Sequence, residues 1–179
     1  MSVDPTPLTA VVLVDTRIGG RALRRFSDSI VSLSSAFTAA DEVAIYRFDK
    51  FIAKLSGFTN NQEELEKSLV SIHKMSERMP EISHEGLVIF PGRGPRWLRW
   101  LLDMKNDTRL LNDAVFTAAK DLEKRGPDKR NVIIAISDGQ EAHSMNRWQE
   151  TRDRLVRDQI QFYAVTIALP LLDRGVSIL

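Results

Sequence analysis

Apolar residues fill positions 8–14 with almost no polar alternation, and Asp15 closes the run. A run of that length without alternation predicts a strand buried on both faces. Leu23, Phe26, Ile30, Leu33 and Phe37 follow at spacings of three and four, which predicts an amphipathic helix over 21–38. Gly19-Gly20 frees the strand-to-helix turn before it. Two further strands are expected at 43–48 and 51–58. Only Asp49-Lys50 separates them, so they should form an antiparallel hairpin. Asn60 and Asn61 are candidate N-caps for a second helix marked by Leu65, Leu69, Ile72 and Met79, with Glu63 and Glu64 in its first turn.

The pattern weakens over 80–107. Pro80, Pro91, Gly92, Gly94 and Pro95 crowd this stretch, and it reads as an irregular insertion with one short helix at 95–104. Regularity returns at Thr108, the expected N-cap of a helix whose inner face is Leu111, Val115, Ala118 and Leu122; Gly126-Pro127 ends it. Then come a second buried strand at 132–136, a helix at 145–158 carrying Trp148, Leu155 and Val156, and a strand at 162–168. Strands that alternate with helices imply an α/β fold: three layers, a doubly wound, Rossmann-like and mostly parallel sheet, with the 51–58 strand antiparallel at one edge. The 179 residues are expected to form a single domain.

Composition removes several function classes. A formal net charge of +1 gives no global attraction to nucleic acid or to an acidic membrane. No apolar run is long enough to span a bilayer, and no signal-peptide pattern opens the chain. The absence of cysteine excludes disulfides, thiolate metal sites and cysteine nucleophiles. His73, His84 and His143 show no ligand spacing, and Gly92-Arg93-Gly94 lacks the lysine of a phosphate loop.

The candidate chemistry lies in the two aspartates. Asp15 and Asp138 each close a buried strand, and in an open parallel sheet such strand ends line the crevice where ligands bind. Either aspartate alone reads as a helix cap or a loop acceptor. Together, at two strand ends, they read as one shared site.

Several segments then resemble a von Willebrand factor type A domain, over nearly the whole chain from Leu8 to Ala168. Val11-Val12-Leu13-Val14-Asp15 is similar to the family's first strand and its aspartate. Ala40-Asp41-Glu42-Val43-Ala44-Ile45-Tyr46-Arg47-Phe48 is similar to its second strand. Thr108-Arg109-Leu110-Leu111-Asn112-Asp113-Ala114 looks like its T-x-L-y-D-A loop and helix, and Ile136-Ser137-Asp138-Gly139 like its L-S-D-G strand end. The flavour is that of the group found in acidobacterial exported proteins. The resemblance implies a protein-binding or adhesion module, not an enzyme. It also implies a metal-ion-dependent adhesion site (MIDAS) in which Mg²⁺ is held by a D-x-S-x-S loop, a threonine and an aspartate, with a partner's carboxylate completing the shell.

Asp15, Thr108 and Asp138 match that ligand set. Arg17 and Gly19 stand where the two serines belong, so two hydroxyls are lost and a permanent cation is gained. The expectation is a degenerate site that binds Mg²⁺ weakly or not at all, with Arg17 paired to Asp15 or Asp138 in the ion's place. Arg17, Gly19, Trp97 and Trp100 are then candidate contacts for a protein partner. The tryptophans interleave with Arg93, Arg96 and Arg99. Packing of the insertion onto the body ranks first for that stretch, a protein contact second, and nucleic acid a distant third because the chain is nearly neutral. The competing class is a phosphoryl-transfer hydrolase of the haloacid-dehalogenase type with Asp15 as nucleophile, but Arg17 occupies the place of its second aspartate. The family carries a further strand and a closing helix after the last strand found here. A trimmed or shortened domain is therefore expected, and if trimmed, an exported bacterial parent.

Overall fold

The computed structural model describes residues 6–18, 31–77, 109–126 and 128–166. Five strands form one sheet: β1 (Leu8–Asp15), β2 (Glu42–Phe48), β3 (Ile52–Lys54), β4 (Arg130–Ser137) and β5 (Gln161–Thr166). Their order is β3-β2-β1-β4-β5. β1 pairs in parallel with β2 and with β4, β4 pairs in parallel with β5, and β3 is antiparallel to β2. This is the expected mostly parallel sheet with one antiparallel edge strand. The helices are α1 (Gln62–Glu77), α2 (Leu111–Glu123) and α3 (Trp148–Arg157).

β1 runs through the middle, and its side chains alternate between two cores. Val11 and Leu13 join Tyr46, Phe48, Val115, Ala118, Leu122 and Leu155 on one face. Ala10, Val12 and Val14 join Val43, Ile45, Leu65, Leu69 and Ile72 on the other. Burial on both faces is why the β1 run shows no polar alternation. Asp41 ties the sheet at its lower end: its carboxylate accepts from Leu8 N (2.7 Å), Thr38 N (2.8 Å) and Thr38 Oγ1 (2.8 Å). Burial pushes that carboxyl up, but these bonds outweigh it and hold the pKa below its ordinary value.

Several local expectations are corrected. The third strand is three residues long, not eight, because Leu55 N and Ser56 N both donate to Ile45 O (2.8 and 3.2 Å). Two residues opposite one make a bulge, and pairing resumes only at the Val43–Thr59 bridge. α2 begins at Leu111 with Leu110 at its N-cap, so the cap expected at Thr108 sits two residues too early. Its first-turn amides are met from a distant loop: Asn112 N donates to Glu141 Oε2 (2.7 Å) and Asp113 N to Ser144 Oγ (3.2 Å). Val156 is 73% exposed, so α3 buries Leu155 and Thr151 instead. The last strand is Gln161–Thr166, starting one residue earlier than expected; residues 167 and 168 lie outside the described residues. Of the helix expected over 21–38, the described part is helical through 31–36 and stops before Phe37; 19–30 lie outside. α1 is capped by Asn61, whose Oδ1 accepts from Glu63 N (3.0 Å) and Glu64 N (3.4 Å), while Asn60 bonds Ala39 O instead. Met79, the 80–107 insertion and the tail after Thr166 also lie outside the described residues.

Candidate functional site

The chain crosses from one side of the sheet to the other between β1 and β4, which makes their C-terminal ends the switch point of the topology. Asp15 is the last residue of β1, and Asp138 follows the last residue of β4. The two aspartates therefore meet where the sequence placed them. Ser137 bridges the strands: its Oγ donates to Asp15 Oδ2 (2.9 Å) and accepts from Gly139 N (3.1 Å). Arg17 N donates to Asp15 Oδ1 (2.9 Å), and Gln140 N to Asp138 Oδ1 (3.0 Å).

The fourth carboxylate oxygen has a different partner. Arg109 Nη1 forms an ion pair with Asp138 Oδ2, and the two side chains are 13% and 6% exposed. Arg109 stands at the variable position of the T-x-L segment, where the sequence pattern assigns no role, and the sequence alone puts Arg17 in that place. Arg17 serves Asp15 through its backbone amide. Arg109 is delivered across the crevice by an isolated antiparallel bridge to Ala142 (Arg109 N to Ala142 O 2.9 Å, Ala142 N to Arg109 O 3.0 Å). Ser137 was also missed as a site residue, although it stands inside the quoted strand-end motif.

Asp15 is 1% exposed. Burial raises its pKa above the ordinary carboxylate value and the nearby Asp138 charge adds to this; the Arg17 amide, the Ser137 hydroxyl and the Arg109 charge oppose it without cancelling it. A third aspartate, Asp49, stands beyond β2. It accepts from Thr16 Oγ1 (3.2 Å) and Phe51 N (2.8 Å) and pairs with Arg47 (2.9 Å). Thr16 Oγ1 also lies 3.4 Å from Phe48 O, so its proton is shared between Asp49 and that carbonyl.

The loop 138–147 is pinned to the start of α2. Asp113 accepts from Met145 N (2.9 Å), Asn146 N (2.8 Å) and Asn146 Nδ2 (2.7 Å), and Glu141 accepts from Asn112 N and Ser144 N. His143, at φ 74°, faces solvent in this loop. Beside it, Leu111, Val115, Ala135, Trp148, Phe162 and Val165 line an apolar cavity of about 360 Å³.

Among the described residues, no three histidine, aspartate or glutamate side chains converge as a metal-binding group. Thr108, Gly19, Trp97 and Trp100 lie outside the described residues. The donor set that is described is two carboxylates and one serine hydroxyl around a guanidinium. Mg²⁺ asks for near-octahedral oxygens at about 2.0–2.1 Å, and the described residues supply three of those donors with a guanidinium beside them.

No family model and no curated protein matches the sequence. Solved structures do. The manganese-loaded TRAP protein of Plasmodium vivax superposes with a TM-score of 0.62 at 11% identity, over 93% of this chain and 59% of that one. Proximal thread matrix protein 1 of the mussel byssus gives 0.60 at 11% identity, over 90% and 38%; another structure of it has zinc in its MIDAS motif. An aerotolerance-related membrane protein of Bacteroides fragilis gives 0.57 at 14% identity, over 91% and 69%. The chain spans less than two thirds of the first two proteins. At these identities the likeness concerns the fold: the chain has the von Willebrand factor A fold.

Proposed function

We propose that this chain is a non-enzymatic protein-interaction module that binds its partner through the face at the C-terminal ends of β1, β2 and β4, with an impaired divalent-cation site. One observation carries the reading: all four oxygens of the Asp15–Asp138 pair already accept from donors of the chain itself, one of them a guanidinium. An ion entering there has to displace protein donors and approach a fixed positive charge. The face around the crevice suits a protein partner. Phe51, at the β2–β3 turn, is 71% exposed, and Met145, in the loop after β4, is 91% exposed. Large apolar side chains held on pinned turns are good anchors for a protein interface. Arg17, Gly19, Trp97 and Trp100 are further contact residues in this reading.

The competing hydrolase needs Asp15 to offer a free oxygen to a phosphoryl group. A carboxylate at 1% exposure with both oxygens engaged is poorly suited to that. The test is affinity capture from extract of the producing cells, in EDTA, by wild type, Phe51→Asp and Met145→Asp. A partner held by wild type and lost by both variants supports the module. Retention only with added Mg²⁺ contradicts the impaired site. Turnover of p-nitrophenyl phosphate that disappears in Asp15→Ala replaces the reading with the enzymatic one.

A further inference from the structure

We infer that the Arg109 guanidinium is the resident cation of the β1–β4 crevice, and that it competes with any divalent ion for one place. This rests on the impaired-site reading and names the residue responsible.

Three observations support it. First, Arg109 is held inside the crevice and not in water, with 13% of its side chain exposed against 6% for Asp138. Second, its backbone has no freedom to withdraw. The N–H and C=O of Arg109 both pair with Ala142, Leu110 N donates to Asp49 O (3.4 Å), and α2 starts at the next residue. Third, Arg109 Nε is buried with no acceptor among the described residues. The side chain is therefore anchored through Nη1, on Asp138 Oδ2, with the Asp15 carboxylate near enough to feel its charge. Because guanidinium stays protonated at any relevant pH, the plug cannot be removed by titration.

The competition gives a direct test. Metal-stripped wild type, Arg109→Gln and Arg109→Lys are titrated with Mn²⁺, with free ion followed by electron paramagnetic resonance and folding checked by near-ultraviolet circular dichroism. The expected result is at least tenfold tighter Mn²⁺ binding by Arg109→Gln than by wild type, with Arg109→Lys staying within tenfold of wild type because it keeps the charge. A folded Arg109→Gln that gains less than tenfold, or an Arg109→Lys that gains as much as Arg109→Gln, overturns the assignment. If Arg109→Gln does not fold, Arg109→Met keeps the aliphatic stem and is judged by the same criterion. Saturable sub-millimolar binding by wild type itself refutes the impaired-site reading instead, so the two failures are distinguishable.

Discussion

Replacing Arg109 with glutamine removes the cation that is ion-paired with Asp138 and leaves two aspartates facing one crevice. Two unit charges at ~5 Å in an effective dielectric of ~20 repel by ~3 kcal/mol. Breaking a buried ion pair by deleting one partner costs about 3–5 kcal/mol, because the other charge stays behind. Exposures of 13% and 6% leave little room for solvent screening. We therefore expect Arg109→Gln to lose about 3 kcal/mol of stability, or roughly 6–12 °C in Tm for a domain of this size. Asp138→Asn should lose a similar amount. The double variant should recover part of it, with a coupling of about 2 kcal/mol. Urea denaturation followed by circular dichroism measures all four corners of the cycle, and for a buried pair the loss should persist in ~1 M NaCl. A cost below about 1 kcal/mol for Arg109→Gln, or additivity within about 0.5 kcal/mol, refutes the reasoning.

Asp121 gives a pH prediction. Burial pushes its carboxyl up, but Lys124, Tyr46 and Lys54 outweigh this and bring it from 3.8 down to about 2. A depressed folded pKa contributes stability above the unfolded value and loses it as pH falls from about 3.8 toward 2. After discounting for partial exposure, Asp121→Asn should cost about 1–2 kcal/mol at pH 7, and the gap to wild type should narrow in acid denaturation below pH 4. Asp113→Ala removes three bonds to 145–146 and should cost about 2–3 kcal/mol, with faster amide exchange at Met145 and Asn146 than in α1. Leu69→Ala empties a site that is 1% exposed between α1 and the sheet, and should cost about 2–5 kcal/mol in chemical denaturation. Phe51→Ser, at a 71% exposed position, should leave Tm within about 2 °C of wild type while abolishing partner capture.

The fold was legible because its signals are local. The nearly unbroken apolar runs of β1 and β4 announce burial on both faces, the short link after Phe48 announces a hairpin (its turn spans 49–51, one residue more than expected), and two carboxylates at strand ends announce a crevice. The misreadings involve partners distant in sequence. Nothing near Thr108 reveals that the first turn of α2 is capped by Glu141 and Ser144, about thirty residues away. The bulge at Leu55–Ser56 depends on Ile45 O, across the hairpin, and an alternating apolar run cannot show it. The site follows the same rule. Arg17 was the visible anomaly because it breaks a serine pattern, whereas Arg109 sits at a position with no pattern to break and reaches Asp138 only through the Ala142 bridge.

The most direct test is a calorimetric titration of metal-stripped wild type with Mg²⁺, run beside Asp15→Ala. With Arg109 as the cation of the crevice, no saturable heat is expected from the folded protein up to about 10 mM; even a 1 mM dissociation constant would represent about 4 kcal/mol of net binding. Saturable binding below millimolar that disappears in Asp15→Ala contradicts the account.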